Sequence, residues 1–281
     1  MSPRPQTVTG LEAEPALAST TLTWQPLGWN PLIDHYRVYA ARGESTPDGK
    51  NESELLAKTV YPRFVHADLD PAGETWTYVV LAVSDAGRRG KPGAPVTATS
   101  QPSVTATGDE VATIGVFDGR TLEFLHAPSG YANIPEEFPD ALIEYTQGTD
   151  EPGTAWPYLL PGPGDAWAGR TAYRARWTVT LDEAPAADHD LAVWLVDTTR
   201  LGGILRVGVN EEHVIDIELP AGATRGSREG DATVPGSTLQ RSFHEHAVPA
   251  ELLRAGENVL ELELVEGGWM AWDAVGLFAR S

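Results

Sequence analysis

Asn258-Val-Leu-Glu-Leu-Glu-Leu264 alternates leucine with glutamate, step for step. A period of two is what a strand with one buried face requires, so the leucines face a core and Glu261 and Glu263 face water. The stretches around it read the same way. Trp269-Met-Ala-Trp272-Asp-Ala-Val-Gly-Leu-Phe278 is a closing strand, and Arg174-Ala-Arg-Trp177-Thr-Val-Thr-Leu181 and Leu191-Ala-Val-Trp194-Leu-Val196 are earlier ones. Residues 203–209 and 214–219 form a hairpin around Asn210-Glu-Glu-His213, and residues 111–117 make a strand turned at Asp118-Gly119. Residues 248–258 are read as a one-turn helix with Gly256 as its C-cap.

The first hundred residues hold a separate series of short strands. Thr20-Thr-Leu-Thr-Trp24, Ile33-Asp-His-Tyr36-Arg-Val38, Phe64-Val-His66, Thr75-Trp-Thr-Tyr78-Val-Val80-Leu-Ala82-Val83 and Pro95-Val-Thr-Ala-Thr99 are spaced by turns. Between the series lies the polar stretch Ser100-Gln-Pro-Ser-Val-Thr-Ala-Thr-Gly-Asp109. The reading is all-β, in three parts: a sandwich over 1–100, a linker over 101–110 and a jelly-roll-sized sandwich over 111–281.

Of the 281 residues 28 are Gly and 22 Pro, in keeping with many turns, and there is no Cys for a disulfide or a thiolate metal site. No apolar run reaches the roughly 18 residues of a membrane-spanning helix. Charge is uneven. Residues 1–100 carry a net −2 and residues 101–281 a net −18, with all three lysines (Lys50, Lys58, Lys91) in the first part. Such acidity repels phosphates, which argues against nucleic acid and anionic membranes as partners. Met-Ser-Pro-Arg-Pro has no basic-then-apolar signal, and the chain is expected to be a piece of a longer secreted protein.

Candidate chemistry centres on an aromatic stretch. Trp156, Tyr158, Trp167 and Tyr173 lie among prolines and glycines, including Pro161-Gly-Pro-Gly-Asp165-Ala-Trp167-Ala-Gly169. Flat rings beside polar groups suit the C–H faces of sugars; the same rings would also plug the mouth of a sandwich. Trp156, Trp167 and Tyr173 are the expected stacking residues. Arg225, in Thr224-Arg-Gly-Ser-Arg228, is the expected carboxylate partner. His244-Glu245-His246 and Asp188-His189-Asp190 lack an evident third ligand and are read as solvated loops. No acid–base pair is placed for glycoside hydrolysis, and no nucleophile or phosphate-loop motif is present.

Two resemblances follow. Leu22-Thr-Trp24, Tyr36-Arg-Val-Tyr39, Leu69-Asp-Pro-Ala-Gly73 and Thr77-Tyr78-Val-Val-Leu-Ala-Val83-Ser-Asp-Ala-Gly87 resemble a bacterial extracellular fibronectin type III domain, with Trp76 where that family usually has its corner tyrosine. Ile114-Gly-Val-Phe-Asp118-Gly119, Phe124-Leu125, Tyr145-Thr146, Trp156-Pro157, Asp165-Ala-Trp167, Thr224-Arg225-Gly226, Leu253-Arg-Ala-Gly-Glu-Asn258 and Met270-Ala-Trp-Asp273 resemble the C-terminal domain of rhamnogalacturonan lyases, polysaccharide lyase family four. That resemblance implies a galactose-binding-like jelly roll, a pectic polysaccharide as partner and a catalytic domain upstream. It transfers no catalytic residue, so this chain itself is expected to bind rather than cleave. It also implies a structural Ca²⁺, for which Asp118 and Asp273 are the candidates. A complete enzyme and a non-binding structural protein are the alternatives.

Overall fold

The computed structural model describes residues 3–28, 32–67, 69–222 and 241–280, and they divide into two compact units, Met1–Ala106 and Thr107–Ser281. The fold class read from the sequence is the one observed: each unit is a β-sandwich.

In the first unit, β1 (Glu12–Ala16), β2 (Ser19–Thr23) and β5 (Arg63–His66) form one sheet, in the order β1-β2-β5. β3 (Ile33–Arg42), β4 (Leu55–Thr59), β6 (Thr75–Ser84) and β7 (Val96–Thr99) form the other, in the order β4-β3-β6-β7. The period-two pattern sets the core. Tyr36, Val38 and Ala40 of β3 lie beside Ala82, Val80 and Tyr78 of β6, and all face Leu22 and Trp24. Trp24 meets Tyr36 edge-on at 5.4 Å. At the corner position the indole nitrogen of Trp76 is buried without a hydrogen-bond partner, so no strand-crossing bond is made there; the ring packs against His66 at 4.9 Å instead.

After the single turn α1 (Val104–Thr107), the described residues of the second unit include ten strands: β8 (Asp109–Gly115), β9 (Leu142–Thr146), β10 (Leu159–Pro161), β11 (Arg174–Leu181), β12 (His189–Thr198), β13 (Gly203–Val209), β14 (Glu212–Leu219), β15 (Ser242–Val248), β16 (Gly256–Gly267) and β17 (Trp269–Ala279). One sheet runs β10-β17-β12-β15, with β8 also on β17; the other runs β14-β13-β16-β11-β9. Between them lies a core that includes Trp156, Trp177, Trp272, Leu191, Val193, Leu260, Leu262 and Leu264. Glu261, on the opposite face of β16, accepts from Arg176 at 2.9 Å and lies 3.5 Å from Arg174.

Two local expectations change. Residues 250–252 form a 3₁₀ turn, and Gly256, at φ +85°, opens β16 rather than capping a helix. A β-branch-free Leu-Leu-Arg-Ala run looks helical locally, but the long β16–β11 pairing claims its continuation. His244-Glu245-His246 lies in β15 and not in a loop, paired with Val193, Ala192 and Leu191.

Among the described residues, four connections cross from one sheet to the other at one end of this sandwich: β8 to β9, β10 to β11, β12 to β13 and β16 to β17. Leu219, Gly203 and Gly267 lie in one row across their sheet there. That end holds the candidate site.

Candidate functional site

The β16–β17 crossing, Gly267-Gly268, is the hub. Gly162 and Gly164 donate backbone N–H bonds to the carbonyls of Gly268 (2.6 Å) and Gly267 (2.8 Å), tying the β10–β11 crossing onto it. A Cβ at either glycine would stand 2.7–2.8 Å from the Gly267 carbonyl, so the close approach needs glycine. The β12–β13 crossing docks on the same hub: Thr199 N–H donates to Trp269 O at 3.1 Å, and Gly202 N–H closes the turn on Thr199 O at 2.9 Å. That turn leaves Arg200 and Leu201 outside, Leu201 being 77 % exposed.

Asp165 shapes the β10–β11 crossing. Its carboxylate is buried, takes the Trp167 N–H at 2.8 Å as an Asx turn, and accepts the Tyr131 hydroxyl on its other oxygen. Its carbonyl accepts the Arg170 N–H at 2.8 Å, closing a loop in which Gly169 and Arg170 both have positive φ, +72° and +59°. Burial, followed by the Asp165 carboxylate, raises the Tyr131 hydroxyl far above the ordinary tyrosine range, and burial with Asp165 raises Tyr173. The phenols therefore stay protonated, and Tyr131 remains a donor to Asp165. The product of this scaffold is Trp167, 82 % exposed and carried on a backbone fixed from both sides. A large ring held out in water by a buried carboxylate has no role in the core.

The expected stacking residues therefore separate. Trp167 stands at the rim, whereas Trp156 (0 % exposed) and Tyr173 (3 % exposed) are core residues, which corrects their reading as platforms. Trp156 lies 5.9 Å from Tyr145, edge-on, and 5.4 Å from Trp272, so neighbouring side chains enclose its ring. Tyr173 is held by backbone bonds to Pro161 O and from Leu264 N, both 3.1 Å. Prolines and glycines break the strands here without lifting the segment off the core. Arg225 lies outside the described residues.

Asp118 and Asp273 do meet, but through the backbone of one and the side chain of the other. Asp273, 1 % exposed on β17, accepts the N–H groups of Asp118, Gly119 and Arg120 on Oδ1, at 3.2, 2.6 and 3.2 Å. The Asp118 residue is exposed. Burial pushes the Asp273 carboxyl up to about 7, against the lowering effect of the three amides. This is a latch joining β17 to the turn after β8. As a Ca²⁺ site the donor set does not fit: one oxygen of Asp273 is engaged, and no group of three His, Asp or Glu converges among the described residues.

The remaining charged motifs are structural. His244 is pushed down to about 4 by burial, with His246 adding to it, and its Nε2 lies 3.1 Å from Ser242 Oγ. Asp188 accepts the Ala250 N–H at 2.9 Å, and Asp190 pairs with Arg280 at 2.7 Å, so the Asp188-His189-Asp190 stretch is bonded in place rather than a free loop. The residues that sequence reading passed over are Asp165, Tyr131, Arg170, Arg200 and Leu201. Asp-x-Trp followed by a glycine was the available signal: an Asx turn that presents the aromatic.

Residues 110–277 match the family described as CBM-like, polysaccharide lyase family 4, domain III. No curated protein matches the chain. Solved structures similar to it include domains A168–A170 of titin (17 % identity over 33 % of this chain, TM-score 0.26) and the Clostridium perfringens spore cortex lytic enzyme SleM (15 % over 34 %, TM-score 0.26). The chain covers 32 % and 28 % of those two structures. A third is the fibronectin type III domain of human fibronectin type III domain containing protein 3, with 14 % identity, 38 % of this chain and 95 % of that one covered, and a TM-score of 0.30.

Proposed function

We propose that this chain, which belongs to the CBM-like family of polysaccharide lyase family 4, domain III, over residues 110–277, is the carbohydrate-binding accessory part of an extracellular polysaccharide-degrading protein. Its partner is a pectic, rhamnogalacturonan-type chain, and elimination belongs to a lyase domain elsewhere in the parent protein. The observation that carries the reading is Trp167: one large ring, 82 % exposed, on a loop braced by Asp165 and the Gly267-Gly268 hub. An indole face set out in water on a fixed backbone loses little freedom when a sugar stacks on it.

Among the described residues no helix is long and apolar enough to cross a membrane. One stacked ring with a few polar contacts supports weak affinity, roughly tens of micromolar to millimolar. Calorimetric titration with rhamnogalacturonan oligosaccharides tests the reading. Trp167→Ala should abolish the heat of binding while leaving stability within about 0.5 kcal/mol. Trp156→Ala should instead cost about 3–5 kcal/mol of stability as a core truncation. If wild type gives no heat with any glycan, or if Trp167→Ala unfolds the unit, the binding reading fails. Release of unsaturated uronate by the purified chain would favour a complete enzyme.

A further inference from the structure

Resting on that reading, we propose that the rim selects an acidic saccharide, with Arg170 and Arg200 gripping a ring carboxylate beside the ring that stacks on Trp167. The argument begins with where positive charge is left unspent. In a part of the chain with net −18, arginines have carboxylates on every side. Arg174 and Arg176 pair with Glu261, Arg206 with Asp216, and Arg280 with Asp190. Arg241 and Arg254 donate to the carbonyls of Gly119 and Glu257. Among the described arginines of the second unit, the side chains of Arg120, Arg170 and Arg200 make neither an ion pair nor a hydrogen bond. Arg170 and Arg200 lie in the β10–β11 and β12–β13 crossings, both bonded to the Gly267–Trp269 turn beside Trp167's loop.

The backbone presents both of them. Arg170 holds φ +59°, a conformation that side-chain-bearing residues rarely adopt, and its N–H is fixed to Asp165 O at 2.8 Å. The carboxylate of the same Asp165 fixes Trp167, so ring and guanidinium rise from one anchor. Arg200 sits at the tip of the Thr199–Gly202 turn, next to exposed Leu201, and that turn docks on the hub that also holds Gly162 and Gly164. A guanidinium is a planar fork of donors matched to a carboxylate, and it sheds water more readily than an ammonium. Two forks flanking an indole suit a sugar with an apolar C–H face and a ring carboxylate. A neutral sugar would use the indole and leave both forks hydrated.

The test compares a galacturonate oligosaccharide with the same oligosaccharide fully methyl-esterified, by calorimetry at physiological ionic strength. Wild type should bind the free acid about tenfold or more tightly than the ester, the factor expected of a charge-assisted contact. Arg170→Gln with Arg200→Gln should bring the acid down to the affinity of the ester and leave the ester unchanged. Arg254→Gln, before β16 at the end of the sandwich away from the hub, should alter neither. Equal binding of acid and ester by wild type would overturn the acid selectivity while leaving the Trp167 platform standing. Loss of ester binding in the double variant would show the arginines holding the loops rather than the ligand, and would also overturn it. Failure of wild type to bind either form would remove the carbohydrate reading and this inference with it.

Discussion

Trp156 and Trp167 come from one aromatic stretch and meet opposite fates. Local sequence treats them alike, because both follow an alanine in a stretch rich in proline, glycine and other small residues. The difference lies in what approaches from elsewhere: Tyr145 and Trp272 close over Trp156, while Asp165 turns Trp167 outward. Tertiary partners of that kind leave no trace in hydrophobic periodicity. Two titratable groups, the buried Asp273 and the half-buried His244, lead to a prediction at this scale. Burial raises the Asp273 carboxyl from its ordinary 3.8 to about 7 in the fold. The folded state thus holds its proton longer, so the stability it contributes is full below 3.8 and is lost as pH rises through 7. His244 runs the other way: burial lowers it from 6.5 to about 4, so its contribution is full above 6.5 and is lost as pH falls through 4. Denaturant unfolding of the second unit between pH 4 and 7 should show the two opposing. Asp273→Asn should gain on wild type as pH rises, by an amount on the order of a few kcal/mol, and His244→Gln should gain as pH falls. Parallel profiles for wild type and both variants would contradict these assignments.

At the scale of elements, what could be read in advance was whatever the backbone repeats. The leucine–glutamate alternation marks β16, and the hairpin at Asn210-Glu211 is observed with both turn residues at positive φ, +52° and +73°, as a tight hairpin needs. The 3₁₀ turn at 250–252 and the strand at His244 went the other way, because pairing with β11 and β12 outweighs local propensity. The hub was invisible for the same reason. Gly267 has φ +99°, and a Cβ there would stand 2.4 Å from Gly202 O, yet in the sequence it is one of 28 glycines. Gly267→Ala should cost more than about 1 kcal/mol through backbone strain, and more through the clash. Because both loops hang on this turn, the variant should also weaken saccharide binding several-fold even where it remains folded, a loss read by melting temperature and titration together. An alanine variant with unchanged melting and unchanged binding would show that the hub does not position the rim.

Across the whole molecule, the two strand series and the all-β class were legible because alternation and turn spacing are local signals repeated many times. The order of strands within each sheet was not, since pairings such as β8 with β17 join opposite ends of the second unit. The rim was only half legible: its indole was among the expected residues, while its cations and its hub come from crossings far apart in sequence. The central claim is that one of nine tryptophans is a saccharide platform and the buried ones are not. The most direct measurement is the nitrogen–proton correlation spectrum of the indole N–H groups during titration with a rhamnogalacturonan oligosaccharide. The indole signal that vanishes in Trp167→Phe should be the one that moves most, with those of Trp156, Trp177 and Trp272 staying in place. A titration in which the Trp167 signal does not move, or in which the largest shift belongs to a core indole, would contradict the account.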